Sequence, residues 1–179
     1  LSLCIFVFLF SIAATVNAQY TVNLNATKDN CNCYTLTQDQ LNQSGSVWNN
    51  NKINLTQSFN FTFDVFLGYK DAGADGIAFV LQPISTSVGS TGGGMGFVGI
   101  APSVGVTLDT YSNSQDGDPS YDHIAIQLND NVNHNSPNTL TTLRAISASS
   151  DNVEDGQVHI LRISWDAPGK NLQVFFDGV

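Results

Sequence analysis

The chain has 179 residues, 42% of them hydrophobic and only 12% charged, with a formal net charge of −9. That length suits one domain with a sizeable core, and the acidic balance excludes nucleic acid and anionic membrane as main partners, because both need a basic face. Glu154 is the only glutamate, so nearly every carboxylate is a short aspartate; aspartate, asparagine and glycine favour turns over helix, which points to a β-rich chain.

Residues 1–14 are almost wholly apolar, and Val16 and Ala18 then put small residues at the −3 and −1 positions before Gln19. This reads as a signal peptide over 1–18, lacking its basic start, and the run is shorter than the ~20 residues of a membrane span. Secretion and an oxidising compartment follow as expectations, with no membrane insertion after cleavage and one domain over 19–179. Removing 1–18 removes Cys4 and leaves Cys31 and Cys33. A bridge between them would close a strained ring; two unpaired thiols, or a bond to a residue past Val179, are the alternatives. No Cys/His zinc spacing is present.

Period-2 alternation dominates the remainder. Over 58–67, Phe59, Phe61, Phe63, Val65 and Leu67 share one face and Asn60, Thr62 and Asp64 the other, a half-buried strand. Further strands are predicted over 76–82, 96–100, 104–109, 123–129 and 140–146. A hairpin is predicted from 158–165 and 172–176, joined by Asp166-Ala167-Pro168-Gly169-Lys170. No segment keeps a helical period for three turns, and no repeat or linker interrupts the chain. Many strands with short polar connections predict an all-β sandwich or jelly roll. The sequence stops at Val179 directly after a strand, so the domain is expected to be incomplete at its C-terminus as well as its N-terminus.

The segment 105–126 carries the densest chemistry. It gathers Asp109, Tyr111, Asn113, Asp116, Asp118, Asp122 and His123 between two apolar runs. Calcium takes six to eight hard oxygens from carboxylates, amides, carbonyls and water, which such a loop supplies. His123 adds a nitrogen that suits a second, softer ion.

Four pieces occur in order: Ala74-Asp75-Gly76-Ile77-Ala78-Phe79, Gly92-Gly93-Gly94-Met95-Gly96, the stretch from Val106 to His123, and the paired strands around Trp165. Together they resemble the L-type (legume-type) lectins, over nearly the whole chain from about Tyr34. The third piece is the specific one, since it fixes metal-ligand residue types at fixed spacing. The resemblance implies a concanavalin-like jelly-roll sandwich of two antiparallel sheets. It also implies calcium-dependent, non-catalytic binding of glycans by a secreted or cell-surface domain, similar to bacterial secreted members. Calcium ligands would fall on Asp109, the Tyr111 carbonyl, Asn113 and Asp118. The family's transition-metal (Mn2+) site would use Asp109, Asp118 and His123 plus a glutamate two residues before Asp109. Thr107 stands at that position, and a hydroxyl is a poor substitute for a carboxylate ligand.

The same resemblance implies a shallow sugar pocket beside the calcium. Asp75, after a cis Ala74–Asp75 peptide, would accept hydrogen bonds from two sugar hydroxyls, with calcium holding Asp75 and Asn113 indirectly. The Asn113 amide, a backbone N–H of Gly93 or Gly94, and the Tyr111 ring would complete it. Relatives pair through the back sheet, which leaves a homodimer open. In isolation Asp75-Gly76 reads more readily as a hairpin turn than as a ligand site, and the glycine run lacks the Lys-Ser/Thr of a phosphate loop.

Two other classes stay in play. A jelly-roll glycoside hydrolase would need two carboxyls ~5–5.5 Å apart, yet Glu154 stands alone in a loop and no E-x-D-x-E occurs. A structural or adhesive module stiffened by calcium is the other. Asn-x-Ser/Thr triplets at Asn25, Asn42, Asn54 and Asn60 bear on neither.

Overall fold

The computed structural model describes residues 20–30, 32–144 and 151–179. The expected signal peptide and Cys31 lie outside them; Cys33 is exposed. Eleven strands are described: β1 (Tyr20–Leu24), β2 (Thr27–Asn30), β3 (Cys33–Thr35), β4 (Gly45–Asn49), β5 (Phe59–Phe66), β6 (Gly76–Leu81), β7 (Val104–Asp109), β8 (His123–Leu128), β9 (Thr139–Arg144), β10 (Val158–Asp166) and β11 (Asn171–Phe176). Two short 3-10 turns, Gly92–Gly94 and Ser114–Asp116, are the only helical pieces among the described residues. No described helix is long and apolar enough to cross a membrane.

Alternating side chains build two main antiparallel sheets. One has the order β11-β10-β5 and the other β6-β7-β8-β9. In β10, His159, Leu161 and Ile163 point inward while Val158 and Ile160 are exposed. Val65, Leu161, Ile163 and Phe176 of the first sheet meet Val106, Leu108 and Ile124 of the second, with Val153 sealing the layer. Phe61 and Phe63 of β5 reach Phe79 of β6 at ring separations of 6.1 and 5.8 Å. Such tilted aromatic pairs add to the burial that joins the sheets. The expected sandwich of two antiparallel sheets is therefore present, flanked by two small ladders, β1-β4 and β2-β3.

The strand predicted over 96–100 is instead a turn. The amides of Phe97 and Val98 both return to the Gly94 carbonyl, and Gly96 and Gly99 take φ of 74° and 87°. Five residues with two glycines at positive φ cannot stay extended. The alternation there serves another purpose, because Phe97 is fully buried against Gly105, where a Cβ would come within 2.8 Å of its ring.

That plug explains why β7 and β8 are buried on both faces. Val106, Leu108 and Ile124 face the hydrophobic layer. Gly105, Thr107, Asp109, His123, Ala125 and Gln127 line the opposite face, and the last five are at most 4% exposed. The 92–100 turn and the loop after β8 cover this polar face. The loop is tied down by Asn129 N–H to the Ser103 carbonyl (2.9 Å) and Leu128 N–H to the Asn138 carbonyl (2.8 Å).

Candidate functional site

Register decides which side chains meet. Gly76 of β6, Asp109 of β7 and His123 of β8 are direct cross-strand partners in one row. The neighbouring row holds Ala78, Thr107, Ala125 and Thr142. Asp109 and His123 thus sit side by side at the end of the sheet, where the chain leaves β7 into the acidic segment. Gly76 must be glycine here: its φ is +133°, and a Cβ would lie 2.2 Å from the Leu108 carbonyl oxygen.

The acidic segment folds onto that end through its own amides. Asp109 Oδ1 accepts from the Tyr111 N–H at 3.0 Å, and Asp118 Oδ2 accepts from the Asn113 N–H at 2.7 Å. Burial raises the Asp109 carboxyl to about 7; the Tyr111 N–H works against this, and the charges of Asp118, Asp75 and Asp122 add to it. Burial also raises Asp118, with the Asn113 N–H and His134 opposing. Carboxylates this buried and mutually repelling, with few hydrogen bonds each, call for a compensating cation.

Asp75 joins them from the residue just before β6. The Ala74–Asp75 peptide is cis, as the resemblance implies, and the Asp75 carbonyl accepts from the Thr110 N–H at 3.1 Å. Its carboxyl is half-buried and raised by that burial. Gly93 approaches Asn113 so closely that a Cβ would lie 3.3 Å from Asn113 Oδ1. Gly94 is turned elsewhere: a Cβ there would meet Ser90 Oγ and Val98 at 2.9 Å, so its role is to let the turn close. Tyr111 is 47% exposed, with its ring open to solvent. Asp75, Asp109, Asn113, Asp118 and Gly93 are thereby linked around one end of the β6-β7-β8 sheet, with Tyr111 at its edge.

His123 is 1% exposed. Burial lowers its imidazole to about 4, against the raising effect of the Tyr121 carbonyl and together with the His134 charge. Its Nδ1 lies 3.1 Å from the Tyr121 carbonyl oxygen, and its Nε2 lies 2.8 Å from His134 Nε2. His134 Nε2 is in turn 3.3 Å from Asp118 Oδ1. Asp118, His123 and His134 form a group whose donor atoms all lie within 4.8 Å of one another, a possible metal site. His134 was not legible as a ligand: it lies in an asparagine-rich loop with no periodicity, and only the fold brings it over the sheet.

Thr107 occupies the position where the family pattern has glutamate. Its hydroxyl lies 3.0 Å from Gln127 Oε1, at the start of a polar chain through Gln127 Nε2 to Thr139 Oγ1. It is engaged along the sheet rather than with Asp109, Asp118 or His123.

A second buried acidic pair lies next to this centre. Asp122 Oδ2 accepts from the Val153 N–H at 2.8 Å, and burial raises its carboxyl despite that bond, as do Asp71 and Asp151. Glu154, 5% exposed, has no hydrogen-bond partner at Oε2. Burial and the charges of Asp122 and Asp71 push it up to about 7, with a Thr110 hydrogen bond opposing. Asp116 is half-buried in the second 3-10 turn and its carbonyl accepts from the His134 N–H at 2.7 Å.

The family model described as the legume lectin beta-barrel domain matches residues 12–179. Among curated proteins, the pesticidal crystal protein Cry22Aa of Bacillus thuringiensis is 31% identical over 172 residues, 86% of this chain and 23% of its own length. A serine-rich adhesin for platelets from Staphylococcus aureus is 32% identical over 126 residues, 59% of this chain and 9% of its own. The chain therefore spans about a quarter or less of these relatives. Among solved structures, a Bauhinia forficata lectin in complex with GalNAc superposes with a TM-score of 0.66 at 19% identity, covering 94% of this chain and 80% of that one. Peanut lectin with a nine-residue peptide gives 0.62 at 23% identity, covering 93% and 78%. At these identities the superpositions speak for the fold.

Proposed function

The chain belongs to the legume lectin family, and on that premise we propose that it is a calcium-dependent, non-catalytic carbohydrate-binding domain of a secreted or cell-surface protein. The observation that carries this reading is the tie between Asp75 and the acidic segment. The Asp75 carbonyl is bonded to the Thr110 N–H, one residue after Asp109, so the half-buried Asp75 carboxylate stands beside the candidate ion ligands. A shallow, half-buried carboxylate next to an exposed aromatic ring and a glycine suits a sugar, which offers vicinal hydroxyls on one edge and an apolar C–H face on the other.

Calcium fits the donors present: the carboxylates of Asp109 and Asp118, the Asn113 amide oxygen and the Tyr111 carbonyl are all hard oxygens. Bound there, the ion would supply positive charge to carboxyls that burial otherwise drives toward protonation. The chain's own residues then do the recognition. Asp75 accepts hydrogen bonds from sugar hydroxyls, Asn113 donates a further one, Gly93 allows close approach, and Tyr111 stacks on the apolar face. The non-catalytic reading is supported by Glu154, which is the only glutamate and is buried out of reach of a solvent-borne glycosidic bond. The relatives named for crystal formation and adhesion favour a secreted or surface setting.

Screening the domain on a glycan array with calcium, with a chelator, and as Asp75→Ala tests the reading. Binding in calcium that disappears in both other arms is expected. A glycan signal that survives Asp75→Ala would overturn the pocket assignment, and steady release of reducing ends from bound oligosaccharides would overturn the non-catalytic one.

A further inference from the structure

We propose that this chain carries a zinc(II) site built from His134, His123 and Asp118, in which His134 is a ligand that the family pattern does not contain. The three donors converge from three places: Asp118 from the acidic segment, His123 from the start of β8, and His134 from the loop between β8 and β9. His134 Nε2 is 2.8 Å from His123 Nε2 and 3.3 Å from Asp118 Oδ1. Four ligands placed tetrahedrally at ~2.0–2.1 Å from zinc stand about 3.3 Å apart. The nitrogen–oxygen edge already has that length, and the nitrogen pair needs only to open by about half an ångström.

Both rings are aimed by their other nitrogen. A carbonyl oxygen can only accept, so the contact between His123 Nδ1 and the Tyr121 carbonyl puts the proton on Nδ1 and leaves a lone pair on Nε2. His134 Nδ1 lies 2.9 Å from Thr142 Oγ1, a hydroxyl that can donate or accept, so His134 can hold its proton on Nδ1 and turn Nε2 to an ion once the Nε2 proton that bridges to His123 is released. This is the outer-shell arrangement that orients metal-binding imidazoles. The His134 N–H to Asp116 carbonyl bond fixes the loop that carries it. The side chains of His134 and Asp118 are 8% and 2% exposed, so the group is enclosed rather than a surface coincidence.

His134 also answers the loss of the glutamate. Thr107, Ala125 and Thr142 lie in one cross-strand row. The Thr107 hydroxyl is turned to Gln127, while His134 stands over Thr142, at the opposite end of the same row. The ligand that would have come from β7 is thus replaced from the loop side. With the glutamate absent and Asp109 left to calcium, the added imidazole gives two nitrogens and one carboxylate oxygen, a donor set that favours zinc over manganese.

The test titrates the whole domain with zinc chloride in saturating calcium, followed by calorimetry and by the imidazole nitrogen resonances. Tight binding of one zinc per chain is expected, with the Nε2 signals of His123 and His134 moving to metal-bound positions. His159, held by Asp177 and Asp155, should stay in place. Manganese should bind more weakly, and His134→Gln should weaken zinc by more than about 100-fold. A His134 Nε2 that keeps its proton at saturating zinc, binding unaffected by His134→Gln, or manganese binding more tightly than zinc would each overturn the proposal. The wild-type resonances decide the matter even if the variant folds poorly. A parallel titration with calcium alone, in the absence of zinc, registers failure of the calcium reading separately.

Discussion

Replacing Glu154 with glutamine should make the protein more stable at alkaline pH, and the size of the effect follows from where that side chain sits. Glu154 is 5% exposed, Oε2 has no partner, and its carboxyl is pushed from the ordinary 4.5 to about 7. A carboxyl whose pKa is raised in the fold favours its protonated form there. Its stabilising contribution is therefore complete below about pH 4.5 and is lost as pH rises through about 7. Between pH 5 and pH 8.5 that loss amounts to roughly 2.5 kcal/mol, from 1.36 kcal/mol per pH unit. Screening along the exposed Asp71 side trims it to roughly 2 kcal/mol. Glu154→Gln removes the ionisation and leaves the shape. Guanidinium denaturation of both proteins at the two pH values, in chelator, gives the difference of differences, in which any packing cost of the amide cancels. The variant should gain roughly 2 kcal/mol on going from pH 5 to pH 8.5, or about 4–8 °C in Tm for a domain of this size. A variant that loses ground at pH 8.5 would mean that the fold uses the charged form of Glu154, and the reasoning from burial would fail.

Calcium at about one hundred times its Kd should raise stability by about 2.7 kcal/mol, read as a Tm increase that chelator reverses; no shift in millimolar calcium would remove the ion from the account. Asp109→Asn should abolish most of that calcium effect, because Asp109 is 4% exposed and has charged carboxylates around it; a variant with the wild-type calcium response would contradict its role as a ligand. Gly76→Ala should destabilise by more than about 2 kcal/mol in denaturant, since φ +133° and the Leu108 carbonyl leave no room for a Cβ. His159 is opposed by burial but carried above its ordinary range by hydrogen bonds to Asp177 and Asp155. Its contribution should therefore be present at mildly acid pH and fade as pH rises through that raised value, and Asp177→Asn should flatten this dependence in pH-resolved melts.

The fold was readable wherever one face of a strand is apolar and the other polar. The β5 alternation from Phe59 to Val65 and the β10-β11 hairpin are of this kind, because period 2 and burial coincide there. β2 left no such trace: all four of its residues are exposed, so pairing with β3 is its main signature. The 96–100 segment misled for the opposite reason. Phe97 and Ile100 are buried, but as a plug on Gly105, a contact between distant residues that local alternation imitates. At the site, Asp109, Asn113, Asp118 and His123 stood out because they crowd one segment of sequence. His134 and the Asp122–Glu154 pair did not, since their neighbours come from register and loop packing. Gly94 matched the family's glycine pattern, yet its contacts are with its own turn, whereas Gly93 faces Asn113.

The central claim is that an ion at Asp109, Tyr111, Asn113 and Asp118 holds the pocket in which Asp75 receives a sugar. Two coupled binding curves test it most directly: sugar affinity at a series of calcium concentrations, and calcium affinity at a series of sugar concentrations, using a glycan selected from the array. If the ion supports the pocket, calcium strengthens sugar binding and sugar strengthens calcium binding by the same factor, as linkage requires. A sugar affinity identical in calcium and in chelator would contradict the claim and leave the metal with a role in stability alone.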